Sequence, residues 1–224
     1  MSAFIKLDTE NNILRVQAKI YFYGKYAENT LGEKIIKEIN DFWNAPQTRY
    51  AINNVNFNVN FEVAQACISL EEAASLMATN TNYAVNFVRI EDKNVSERSM
   101  MGYGLGDNSG HWIITDKLGE STTAAHEFGH AFGLPHPDQI DYRNTGLPPI
   151  MAPRGTIVDA VFQWNPLADA GMPGGTMMPA HRRVRTEEVL AVLDQMQVLD
   201  SETYFVGYLS NNLFDEIGQK VVLA

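Results

Sequence analysis

Hydrophobic and polar positions alternate most strictly between residues 14 and 23. Leu14, Val16, Ala18, Ile20 and Phe22 share one parity, and Arg15, Gln17, Lys19, Tyr21 and Tyr23 the other. That two-residue period predicts a half-buried strand, closed by Gly24. The period then lengthens. Leu31, Ile35, Ile39 and Phe42, with Ile36 and Trp43 beside them, form the apolar face of a helix to about residue 44. Thr30-Leu31-Gly32-Glu33 has the form of a capping box at its start, and Pro46 ends the run. Val55, Phe57, Val59, Phe61 and Val63 alternate with asparagines and Glu62, which predicts a second strand with one solvated face. Ser69-Leu70-Glu71-Glu72 caps a short helix through Met77. Tyr83 to Ile90 reads as a third strand. Ser99 to Leu105 and Trp112 to Thr115 are shorter strands around the turn-rich Gly106-Asp107-Asn108-Ser109-Gly110.

A further helix follows. Ser121-Thr122-Thr123 supplies its N-cap, and Ala124, Ala125, Phe128 and Phe132 its core face. Beyond Gly133 the chain turns to prolines, glycines and methionines, through the irregular Gly171-Met172-Pro173-Gly174-Gly175. Thr186-Glu187-Glu188 starts a last helix, with Val189, Val192, Leu193 and Met196 on its buried face and its end near Leu199. The apolar clusters from Tyr204 onward show no period. A chain of 224 residues is sized for one domain, here divided into an upper lobe (1–133) and a lower lobe (134–224) around a cleft.

The chemistry is concentrated in His126-Glu127-Phe128-Gly129-His130-Ala131-Phe132-Gly133-Leu134-Pro135-His136. On a helix, His126 and His130 leave the same face one turn apart, a spacing that suits two corners of a tetrahedral zinc. Glu127, beside the first histidine, can reach a water at that metal without ligating it. Gly133 permits a turn through positive φ that ends the helix, and Pro135 cannot extend it. The bend brings His136 round as a third ligand and leaves a fourth position open for water. A closed structural zinc site would need a fourth protein ligand and has no use for Glu127.

These residues resemble the metzincin metallopeptidase pattern HExxHxxGxxH. The resemblance covers residues 112–155 and implies an α+β domain with two lobes. Its upper lobe would be α/β-like, with a twisted, mostly parallel sheet and an antiparallel edge strand above the active-site helix. Its lower lobe would be irregular and carry a C-terminal helix. It also implies a methionine turn beneath the metal. Ile150-Met151-Ala152-Pro153-Arg154-Gly155 fits, with Met151 packing under the imidazoles without ligating; Met172, Met177 and Met178 are rivals. Subfamily features are mixed. Pro137 resembles the serralysins, His126 to Ala131 resembles the matrix metalloproteinases, and Pro153 stands where serralysins and astacins place a tyrosine. A second oxyanion donor is therefore unassigned, with Tyr142 and Tyr103 as candidates. The edge strand around Met100–Leu105 would bind an extended peptide. Ile157, Val158, Val161 and Phe162, after the methionine turn, would favour an apolar or aromatic substrate side chain.

Composition narrows the partners. The chain is 45% hydrophobic and 20% charged with net charge −10, which argues against nucleic acid and anionic membranes. Cys67 is the only cysteine; its apolar neighbours predict a buried, inert thiol. His111 and His181 read as solvated or hydrogen-bonded surface histidines. Asp107, Asn108 and Asp116 lack the spacing of a calcium loop. There is no conventional secretion signal and no run long enough to span a bilayer, so the expected location is cytoplasmic, or outside by a non-classical route. The expectation is a monomeric zinc endopeptidase acting on peptide or protein substrates. A non-catalytic zinc-stabilised binding module is the alternative, and a delivered toxin or effector protease is the rival within the enzyme class.

Overall fold

The longest alternating segment becomes the centre of the sheet. In the computed structural model, which describes residues 2–102 and 104–221, strand β2 (Ile13–Tyr23) has neighbours along both edges. β4 (Val55–Cys67) runs parallel along one edge for ten residues, from Ile13↔Asn58 to Phe22↔Cys67. The other edge is shared. β1 (Ala3–Asp8) pairs antiparallel with its first half, Ile13 to Gln17, and β5 (Val85–Glu91) pairs parallel with its second half, Lys19 to Tyr23. The junction is closed by buried Asn86, whose side chain accepts from Ser2 N–H at 2.6 Å and donates to the Ser2 carbonyl at 2.9 Å. Ladder groups at a strand change would otherwise be unpaired and buried.

The parallel pairs follow from their connections. Helix α1 (Asn29–Asn44) lies between β2 and β4, and α2 (Leu70–Thr79) between β4 and β5; parallel neighbours need such crossovers. β5 continues parallel into β7 (Ser109–Ile113), and β6 (Met100–Met101) pairs antiparallel with β7 at the end of the sheet. β3 (Arg49–Ile52) is a hairpin partner of β4. The architecture is mixed α/β with a parallel centre, an antiparallel edge strand and four helices among the described residues, as expected.

The periodic residues do what their spacing predicts. Leu14, Val16, Ile20 and Phe22 are buried in the core shared with Ile35, Ile39 and Trp43 of α1. Tyr23 and Phe87 lie in a separate cluster with Ala73 and Met77 of α2 and Leu213. Ser69 caps α2, with Glu72 completing the box. The predicted cap of α1 is not formed: the helix begins at Asn29 after Glu28, which makes no side-chain cap bond.

Other expectations are revised. The strand predicted over Ser99 to Leu105 is regular only at Met100–Met101, because Gly102 and Gly106 take positive φ and turn the chain away. α4 (Thr186–Leu193) ends earlier than its pattern suggested. The segment after it, grouped by sequence with the lower lobe, returns to the sheet. β8 (Gln197–Val198) pairs with β9 (Thr203–Val206), and β9 pairs antiparallel with β1. Its signal was illegible because the pairing partner is two hundred residues distant in sequence.

Candidate metal centre

α3 (Thr123–Ala131) carries His126, Glu127 and His130. Its back face, Ala124, Ala125, Phe128 and Ala131, is fully buried, and Phe128 and Phe132 meet Trp43 edge-on at 5.7 and 5.9 Å between ring centroids. Trp43 Nε1 also donates to the Ala125 carbonyl at 3.0 Å. The helix start is not capped by Thr122, whose hydroxyl donates to the Pro179 carbonyl and accepts from Arg182 Nε at 2.9 Å. A residue of α1 serves instead: Glu38 accepts from Ala125 N–H at 3.0 Å and from Gly119 N–H at 2.9 Å. Burial pushes its carboxyl up to about 7, opposed by those hydrogen bonds.

Glu38→Gln should destabilise the protein by about 1–3 kcal/mol, since its NH2 would face one of two N–H donors that both need an acceptor. The folded carboxyl keeps its proton up to about pH 7, whereas the unfolded one releases it near 4.5. This contribution to wild-type stability is present below pH 4.5 and lost as pH rises through 7. Glutamine removes that dependence, so the gap between the two proteins' melting temperatures should narrow from about pH 5 to about pH 8.

The helix ends through Gly133, at φ +89°. Gly133 N–H donates to the His130 carbonyl at 2.9 Å and Leu134 N–H to the Gly129 carbonyl at 3.1 Å, a Schellman closure. The bend serves the imidazoles directly. His130 Nδ1 donates to the Leu134 carbonyl at 2.8 Å, and His126 Nδ1 to the Ile150 carbonyl at 2.7 Å. With Nδ1 protonated, each Nε2 presents a lone pair. His136 comes round so that its Nε2 lies 3.0 Å from that of His130 and 3.3 Å from that of His126. Burial, with the charge of Arg182, holds His126 well below its ordinary value; burial takes His130 to about 4 and lowers the exposed His136. All three are neutral near pH 7. Among the described residues, no other group of three histidine, cysteine or acidic side chains converges in this way.

Glu127 is 6% exposed and lines the same cleft, a cavity of about 740 Å³. Burial pushes its carboxyl up to about 8, opposed mainly by Arg182. A cation at the imidazoles would oppose that shift further.

Met151 is buried, with its sulfur against Gly129 in the space a Cβ would fill. Gly129 lies between the two helical histidines in the chain, so the thioether packs on the helix that carries them. Met172 is exposed and Met177 sits in a separate cluster with Tyr142, Ala152 and Val158. The turn is held by Glu188 of α4, which accepts from Met151 N–H at 2.9 Å and Ile150 N–H at 3.2 Å. Gly129→Ala should cost about 1–3 kcal/mol in denaturant unfolding, because its methyl displaces the sulfur. Met151→Leu, close in volume, should cost less than about 1.5 kcal/mol.

Sequence reasoning missed Glu38, Glu188 and Arg182. A carboxylate on an apolar helix face, three residues after Ile35, was the available signal for Glu38. Arg182 is 2% exposed, donates through Nη1 to the Ala152 carbonyl at 3.2 Å, and lines the cleft beside Glu127. Asp116 accepts from Ser99 N–H at 2.7 Å and pairs with Arg154, joining the start of β6 to the segment after Met151.

Several candidates are placed elsewhere. None of Ile157, Val158, Val161 and Phe162 lines the cleft: Val158 is buried against Tyr142 and Met177, and Val161 faces outward. Tyr142 lines an adjoining cavity of about 330 Å³, and Tyr103 lies outside the described residues. His111 is fully buried rather than at the surface, 3.3 Å from Asn94 Nδ2, and His181 is half-buried against Phe162. Asn108 Oδ1 accepts from Ser210 and Asn211 N–H, and Asp107 from Ser109 N–H and the Ser210 hydroxyl, which gives these oxygens structural work. Cys67, at the end of β4, is half-buried.

The family model for peptidase M66 matches residues 37–148, half of the chain, and that segment contains the three histidines and Glu127. No curated protein sequence matches. Among solved structures, the archaemetzincin of Methanopyrus kandleri is similar with 12% identity over 80% of this chain and 96% of that one, at a TM-score of 0.39. So distant a likeness carries nothing about the site.

Proposed function

The chain belongs to the peptidase M66 family, and from that premise we propose that it is a metzincin-type zinc endopeptidase whose single catalytic domain hydrolyses peptide bonds. The observation that carries this reading is the convergence of three neutral imidazole Nε2 atoms beside a buried carboxylate at the mouth of a cleft. The donor set fits zinc: three nitrogen ligands of one sort, two of them oriented by backbone carbonyls, with room in the cleft for a fourth partner. His126, His130 and His136 would hold the ion. An ion held there would supply a water of pKa lowered toward ~7 and polarisation of the scissile carbonyl.

The remaining steps belong to the chain. Glu127 takes a proton from the attacking water and returns it to the leaving amine. Its burial keeps the carboxylate poorly solvated and so a stronger base, and the Arg182 guanidinium favours its ionised form. Met151, whose N–H donates to Glu188, fills the space at Gly129 and serves as the methionine turn beneath the helix that carries the two ligands. The edge of β6 that has no strand partner among the described residues gives an extended substrate backbone a strand to pair with.

Digestion of a peptide library with zinc-loaded protein tests the reading. Cleavage that disappears with a chelator and returns with zinc is expected. Intact peptides throughout, with zinc bound, would leave a zinc-held binding module as the better account.

A further inference from the structure

We propose that the cleft selects peptides with an acidic side chain next to the scissile bond, seated by Arg98 and Arg154; this rests on the peptidase reading above. Arg98 precedes β6 by two residues and lines the cleft. Its side chain is exposed and has no hydrogen bond or ion pair among the described residues. It is near enough for its charge to act on Glu127, His130 and His136. Arg154 lines the same cleft, three residues after Met151; its side chain is 48% exposed and, among the described residues, only Nη2 is engaged, by Asp116. The two guanidinium groups thus line one cleft with the imidazoles, with nitrogens left to meet a carboxylate in the planar, two-point geometry that arginine favours.

The charge balance points the same way. The cleft lining holds three arginines (98, 154, 182) and three carboxylates (97, 116, 127), formally zero in a chain of net charge −10. Asp116 has both oxygens occupied, by Ser99 N–H and Arg154, and Glu127 is the base. A divalent ion held by neutral imidazoles would add two positive charges to this formally neutral lining, and a positive concavity gathers anionic ligands.

The test uses labelled peptides identical except for Glu, Gln or Lys at each position flanking the scissile bond. Their binding to the zinc-loaded Glu127→Gln protein is read by fluorescence anisotropy, and their cleavage by the wild type is read separately. The Glu peptide should bind at least about tenfold more tightly than the Lys peptide, as expected for a hydrogen bond between charged partners. Adding Arg98→Glu should reverse that order, and Arg98→Ala or Arg154→Ala should flatten it. Arg98 is exposed, so its reversal burdens the fold little. Equal binding of all three peptides, or an order that survives Arg98→Glu, overturns the proposal. Cleavage without charge selection would sink this inference alone. Charge-ordered binding without any cleavage by the wild type would support the selective cleft and sink the peptidase reading.

Discussion

Glu127→Gln should keep its zinc and its melting temperature while cleaving peptides at least about a hundredfold more slowly, within the ~10²–10⁴ that loss of a general base costs. The two side chains are nearly the same size, and the Glu127 carboxylate carries no structural duty comparable to that of Glu38 or Glu188. Glutamine cannot take the water's proton, so the loss should fall on kcat and kcat/KM together rather than on KM. Removing a buried carboxylate that is poorly solvated should not lower stability. Single-turnover cleavage and metal analysis on the same preparation check both halves. Equal rates for wild type and variant would remove Glu127 from the chemistry.

The second large effect is on metal retention. His136→Ala should weaken zinc binding by more than the ~10–100-fold that follows loss of a residue merely orienting a ligand. His136 is the most exposed of the three, and its ring nitrogens are not committed to a backbone carbonyl as those of His126 and His130 are. The metal-free variant should therefore melt close to the metal-free wild type. His126→Ala should differ, because it leaves the buried Ile150 carbonyl without its donor and opens a gap in the helix packing. Competition with a chromogenic chelator measures the first effect and denaturant unfolding the second. Full zinc occupancy in His136→Ala at equal chelator would take that residue out of the ligand set.

The fold was readable where a segment's own period reported its environment. β2 and β4 bury one face against α1, so their alternation survived in the sequence, and the apolar stripe of α1 did likewise. β6 and β9 are too short to show a period, and their places are set by partners far along the chain. Thr122 shows a local signal overridden: a threonine at a helix start reads as a cap, but in the fold its hydroxyl lies between Pro179 and Arg182, and Glu38 of α1 accepts from the first-turn amide of Ala125.

For the site, the sequence by itself determined the spacing of His126, Glu127, His130, Gly133 and His136. Helical geometry and the φ freedom of glycine are local properties, so five positions suffice to bring three imidazoles round one point. The turn at residues 150–155 was within reach of the same reasoning because it is short and marked by proline and glycine. What only the tertiary structure decided is everything that acts on those residues through space. Arg182 beside Glu127, Glu38 on the helix start, Glu188 on the Met151 amide and the arginines lining the cleft come from separate segments of the chain. Burial and Coulomb forces depend on distance in the folded chain, and no spacing along the sequence encodes which charged residue will be brought beside which.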